Sequence, residues 1–274
     1  MRRWSLASRR AFLALAGAGL AAAVAACRGQ PQQHDRGAAA GSRPATPAST
    51  IPRASRAPSS TVPPAAGPAR VVFHGPRDGR QVALTFHGSG DPALVARLLD
   101  EVARERVPIA VFVVGQWLER HPEMAARILG GGHELDNHTY THPQLGRLGR
   151  AGVDQEVRRC RAVLERLAGG GRYFRPSGMT TPTPLVLAAA GAAGYPLVVS
   201  FDVDPRDYAD PGATAVAARV AAGLAPGAIV SLHTGHAGTV AALPHIVAAV
   251  RARGLEPVPL HQLLEHEKRR SSGG

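Results

Sequence analysis

Residues 109–114, Ile-Ala-Val-Phe-Val-Val, form an uninterrupted apolar run bounded by Pro108 and Gly115. A strand of this composition has no face it can turn to water. It must be covered on both sides, as the central strands of parallel sheets are. Parallel strands in turn need long crossovers, usually helices. The chain from Arg70 onward supplies both. Residues 81–86 read as a short apolar strand, and 92–104 carry Leu94, Leu98, Leu99 and Val102 at helical spacing. A helix at 124–129 stops at three glycines, and a strand follows at 133–137. The helix at 154–167 turns Val157, Val163, Leu164 and Leu167 inward. Further strands are expected at 173–175, 197–201, 229–232 and 256–258, with helices at 184–193, 213–222, 239–253 and 261–266. About seven strand–helix units in one α/β domain favour a single-domain distorted (β/α) barrel over an open sheet. In such a barrel, chemistry collects at the C-terminal ends of the strands.

The formal charge of +12 suggests a nucleic-acid binder until it is located. Residues 1–69 hold nine arginines against the single acid Asp35, and Lys268, Arg269 and Arg270 add three more charges. The domain between them is close to neutral, so no nucleic-acid partner is expected. Arg2, Arg3, Arg9 and Arg10 precede an uncharged stretch, 11–26, that is too short and too rich in Ala and Gly to span a bilayer. Ser8-Arg9-Arg10-Ala11-Phe12-Leu13 resembles a twin-arginine export motif, and Val24-Ala25-Ala26-Cys27 resembles a bacterial lipobox. Residues 1–27 therefore read as a signal peptide, with Cys27 as the lipidation site. An ordinary cysteine after a secretory signal is the alternative. Eight prolines among small residues make 28–69 a tether with too little apolar surface to offset its ordering entropy. The folded domain is expected over 70–268, with a flexible tail at 269–274. A membrane-anchored monomer at a bacterial cell surface is the resulting picture. Cys160, flanked by Val157 and Val163, reads as a partly buried thiol rather than a nucleophile.

His138-Thr139-Tyr140-Thr141-His142 places two imidazoles at i and i+4, a spacing that can converge on one metal ion if the segment makes a helical turn. Several further stretches accompany it in order. They are Phe112-Val113-Val114-Gly115, Gly132-His133-Glu134-Leu135, Phe174-Arg175-Pro176, Asp204-Pro205-Arg206-Asp207-Tyr208 and Ile229-Val230-Ser231-Leu232-His233. Together they resemble the NodB-type polysaccharide deacetylases, of the carbohydrate esterase family 4 kind, over about residues 80–265. The resemblance implies a metal-dependent hydrolase that removes N-acetyl groups from acetylated aminosugars such as peptidoglycan or chitin. It implies His138 and His142 as metal ligands, His233 as the acid for the leaving amine, Asp207 as the group that orients His233, and Arg175 as the residue that positions the base. Tyr208 and Gly178 map to the sugar-binding groove, and Asp204 to a structural role. One divalent ion, zinc, is the implied cofactor.

The first motif departs from the family. Where the family reads Thr-Phe-Asp-Asp-Gly, with a base followed by a metal ligand, this chain reads Thr85-Phe86-His87-Gly88-Ser89-Gly90-Asp91. Ser177-Gly178-Met179 also departs from the family's Pro-x-Gly. Three repairs are open. Asp91 can reach back as the third ligand, His87 can coordinate, or His87 can act as the base. The competing readings are a silent glycan-binding lipoprotein and an amidohydrolase of small, non-carbohydrate amides.

Overall fold

The computed structural model describes residues 67–271, so Cys27, the signal and nearly all of the tether lie outside the described residues. A short strand β1 (Arg70–Val72) precedes the long β2 (Gln81–Gly88), helix α1 (Pro92–Glu105) and β3 (Ala110–Val113). Two helices, α2 (Gly115–Arg120) and α3 (Glu123–Gly130), lead to β4 (Glu134–Asn137) and the long α4 (Arg150–Ala168). Then come α5 (Pro184–Ala192), β5 (Leu197–Val199), α6 (Ala213–Gly223), β6 (Ile229–His233), α7 (Ala237–Ala252), β7 (Glu256–Pro257) and α8 (Leu260–Ser271). All paired strands are parallel, in the order β4-β3-β2-β6, with β7 on β2 and β1 on β5. Single-residue bridges complete the distorted barrel. Phe174 joins Asn137 on one side and Val198 on the other, and Val203, on the chain that continues β5, joins Val230 of β6.

The expected fold is the one observed, with four local differences. Strand 173–175 shrinks to the Phe174 bridge, because Pro176 offers no N–H for the ladder. Strand β1 and helix α2 were not anticipated; one has three residues and the other six, too few to show a period. Helix α8 runs to Ser271, through the start of the expected flexible tail. No described helix is long and apolar enough to cross a membrane.

Local chemistry starts and stops the helices. Asp91 caps α1 by accepting a hydrogen bond from the Ala93 amide at 3.0 Å, with Pro92 in the first turn. Thr183 caps α5 in the same way, and Gly169 ends α4 in the left-handed region at φ 72°. Strand alternation then sorts the core into layers. In β2, Val82, Leu84 and Phe86 pack outward with Leu98 of α1 and Ile246 of α7. The alternate positions face the barrel axis, where Ala83, Ala110, Phe112, Val199 and Ile229 form a second cluster. His87 is the last inward position of β2, and it emerges at the mouth.

Asn137 ties this mouth to the helical layer. Its amide donates to the Val157 carbonyl of α4 at 2.9 Å and to the Tyr195 hydroxyl at 3.0 Å, while its oxygen accepts the Thr139 amide at 2.9 Å. All of these groups are buried, so Asn137→Ala leaves several polar atoms unsatisfied. We expect a loss of about 2–4 kcal/mol in urea unfolding. A loss below about 0.5 kcal/mol would show that the network carries no weight.

Candidate active site

Five segments supply the site. His87 comes from β2, His138 and His142 from the loop after β4, Arg175 from the Phe174 bridge, Asp207 from the 3₁₀ turn Asp207–Ala209, and His233 from the end of β6. Nδ1 of His87 lies 2.7 Å from Nε2 of His138, and Nε2 of His142 lies 3.1 Å from that same atom. The three ligand atoms all fall within 4.8 Å of one another.

The protonation pattern around these rings decides what they can hold. Nδ1 of His138 lies 2.9 Å from the Arg175 carbonyl, so this nitrogen carries the proton and Nε2 presents a lone pair. Burial, then the neighbouring imidazoles and Arg175, push His87 well below the ordinary imidazole pKa. Burial and His142 do the same to His138, and His142 itself is lowered by burial and by His233. Three neutral imidazoles thus converge, with one lone pair of His138 facing two other ring nitrogens. A divalent cation suits this donor set, since neutral imidazole is its ligand form.

The 138–142 segment reaches this geometry without a helical turn. Thr139 and His142 are both left-handed, at φ 67° and 61°. Outside glycine such backbone needs support from its surroundings. Glu156 of α4 supplies it. One carboxylate oxygen accepts the amides of Tyr140 and Thr141, each at 2.8 Å, and the other accepts the Thr141 hydroxyl at 2.7 Å. Thr139 Oγ1 also lies within hydrogen-bonding distance of the His138 carbonyl and, at 3.1 Å, of the Ser177 hydroxyl. Sequence reasoning passed over Glu156, because a glutamate within a helix has no spacing that marks it.

A second cluster adjoins the first. The His233 ring stacks on His87, with centroids 4.3 Å apart and an interplanar angle of 11°. Nδ1 of His233 lies 2.8 Å from one oxygen of Asp207, whose other oxygen accepts the His233 amide at 2.7 Å and the Thr239 hydroxyl at 2.6 Å. Burial works to raise the Asp207 pKa, but the bonds from His233 and Thr239 hold it below the usual aspartate value. Asp207 is therefore an anion aimed at the imidazole. Tyr208, 50% exposed, stands edge-on to His233 at 5.4 Å.

Asp91, Arg175 and Gly178 complete the expected residues. Asp91 is exposed, caps α1 and lies outside the histidine group. Arg175 is 1% exposed. Its Nε and Nη2 donate to the carbonyls of Val199 and Ser200, its guanidinium lies 4.0 Å over the Phe112 ring, and Nη1 has no partner. Burial lowers its pKa to about 9. Gly178 sits in an exposed turn at φ 68°, with Gln144 where a Cβ would stand. Asp204 accepts the Arg206 amide in a local turn, as a structural residue does. Cys160 is fully buried rather than partly so, and burial pushes its thiol up to about 12, which leaves it inert.

The polysaccharide deacetylase family profile matches residues 74–198. The chain is 36% identical over 201 residues to a chitooligosaccharide deacetylase of Bradyrhizobium sp. (strain ANU 289), covering 67% of this chain and 90% of that one. The chain belongs to the polysaccharide deacetylase family. It is also 28% identical over 201 residues to a peptidoglycan-N-acetylglucosamine deacetylase of Bacillus cereus, covering 72% of this chain and 94% of the relative. Among solved structures, the Bc1960 peptidoglycan N-acetylglucosamine deacetylase superposes with a TM-score of 0.66 at 28% identity, covering 72% and 94% of the two chains. The family 4 carbohydrate esterase of Streptomyces lividans, solved with acetate, gives 0.60 at 27% identity, covering 65% and 92%.

Glu156 offers a direct test of the loop's support. Glu156→Ala should weaken divalent-metal binding roughly 10–100-fold, as expected when a group that orients a ligand is lost. Glu156→Gln, which keeps one acceptor oxygen, should fall between Ala and wild type. Chelator competition measures both, and equal affinity across the three proteins would remove Glu156 from the account.

Proposed function

We propose that this chain removes N-acetyl groups from an acetylated aminosugar glycan by hydrolysis, with one divalent ion held by His87, His138 and His142. The observation that carries the proposal is the convergence of three neutral imidazoles beside the His233–Asp207 pair. The named relatives act on chitooligosaccharides and peptidoglycan, and the substrate class follows theirs. An all-nitrogen donor set points to zinc. When bound, the ion supplies Lewis acidity toward the acetamide carbonyl and toward water.

The chain's own residues do the rest. Asp207 fixes His233 with its proton on Nδ1 and stabilises the cationic ring, so the bare Nε2 takes a proton from the attacking water and then hands it to the leaving amine. Both nitrogens of His87 are engaged, one with His138 and one with Ser231, and this supports the ligand reading over the base reading. The exposed Tyr208 ring offers an apolar face to a sugar beside His233.

Acetate release from chitooligosaccharides and from peptidoglycan, with and without a chelator, tests the reading. We expect chelator-sensitive release that His138→Ala abolishes and that His233→Ala slows about 10²–10⁴-fold in kcat. Glycan binding with no acetate released by the zinc-loaded wild type would replace the enzyme with a surface glycan-binding protein. That alternative has one feature in its favour, the absence of both family carboxylates at 87 and 88.

We further propose that residues 1–27 direct export, that Cys27 carries a lipid, and that residues 28–69 hold the domain, as a monomer, away from the membrane. Cys27→Ala should move the protein from the membrane fraction to the soluble one with its glycan activity unchanged. Unaltered detergent partitioning would overturn the anchor.

A further inference from the structure

Ser231 is buried on β6, directly across the ladder from Thr85, and its hydroxyl lies 2.9 Å from Nε2 of His87. Neither the family resemblance nor the reaction assigns it a role. The inference rests on the three-histidine reading above and concerns what that reading demands of His87.

Consider the ring without an ion. His138 has its proton on Nδ1, held by the Arg175 carbonyl, so its Nε2 can only accept. His87 Nδ1, 2.7 Å away, must then be the donor. A neutral His87 protonated at Nδ1 has a bare Nε2, which needs a donor, and the Ser231 hydroxyl provides one. With an ion present the demand reverses. Nδ1 must offer its lone pair, so the proton of the neutral ring sits on Nε2 and needs an acceptor. The Ser231 oxygen provides that as well, after rotation about its Cβ–Oγ bond. A hydroxyl both donates and accepts, whereas a backbone carbonyl or a backbone amide could serve only one of the two states.

We propose that Ser231 is a positioning residue that lets His87 exchange tautomers on metal loading. One proton leaves Nδ1 and one arrives at Nε2, both by exchange with water, and the charge of the ring does not change. In this arrangement His87 meets no unsatisfied nitrogen in either state. Metal capture at the third ligand then carries no penalty from a buried bare imidazole nitrogen or an unaccepted N–H.

The test uses the full chain with ¹⁵N-labelled histidine and zinc as the probe. Long-range ¹H–¹⁵N spectra should show His87 protonated at Nδ1 without zinc and at Nε2 with it. Zinc affinity, by competition with a chromogenic chelator, should fall roughly 10–100-fold in Ser231→Ala. It should stay within about threefold of wild type in Ser231→Thr, which restores the hydroxyl. An Ala variant that binds zinc as tightly as wild type, or a His87 ring that keeps one tautomer throughout, overturns the role of Ser231 and leaves the three-histidine site standing. A wild-type chain that binds no zinc overturns the site itself, and Ser231 falls with it.

Discussion

Parallel pairing of β2 with β6 sets the register on which the site depends. Thr85 stands opposite Ser231 and His87 opposite His233, so one ladder presents two hydroxyls and two imidazoles to the same side. A one-residue slip of β6 would turn Ser231 and His233 outward into the helical layer and bring Leu232 inward. The fully buried outer faces of both strands forbid that slip, because their apolar residues pack against α1 and α7. The hydrophobic layer thus fixes the polar one.

How far the sequence could be read follows from which interactions are local. The barrel class was legible because its signals are periodic. Apolar strands covered on both faces, and helices with inward Leu and Val, need no partner to be recognised. His138 and His142 were legible as a pair from their spacing. The conformation joining them was not, because a loop with two left-handed residues depends on Glu156, which comes from another helix. Asp91 carries the opposite kind of signal, a local one. An aspartate before a proline and an apolar helix is a strong capping signal, and that local role is the one it takes. Ser231 lies within a recognisable motif yet has no function visible in the sequence, since its importance arises from His87, a contact far away in sequence.

Arg175 shows how a family scaffold persists around an altered residue. Its guanidinium is sealed between aromatic rings and strand carbonyls, and one of its nitrogens lacks a partner. Its main chain does more for the site than its charge does. The Arg175 amide donates to the Asn137 carbonyl, and its own carbonyl fixes the proton of His138. Replacing a carboxylate by an imidazole at position 87 exchanges an anion beside this cation for a neutral ring. The neighbouring charge is one reason that ring stays neutral.

The bonds within the site also differ in how much chain each must close. His142 reaches His138 across 4 residues, His87 reaches His138 across 51, and His87 reaches Ser231 across 144. Loop-closure entropy rises with that separation, and distant pairings come late in folding. The three imidazoles therefore belong to the early half of the barrel, whereas the hydroxyl that completes the third ligand arrives only with β6. A chain still emerging from synthesis, or one opened at the β2–β6 seam, would hold all three histidines while lacking the hydroxyl that partners His87, so the finished centre is a mark of a barrel joined through β6.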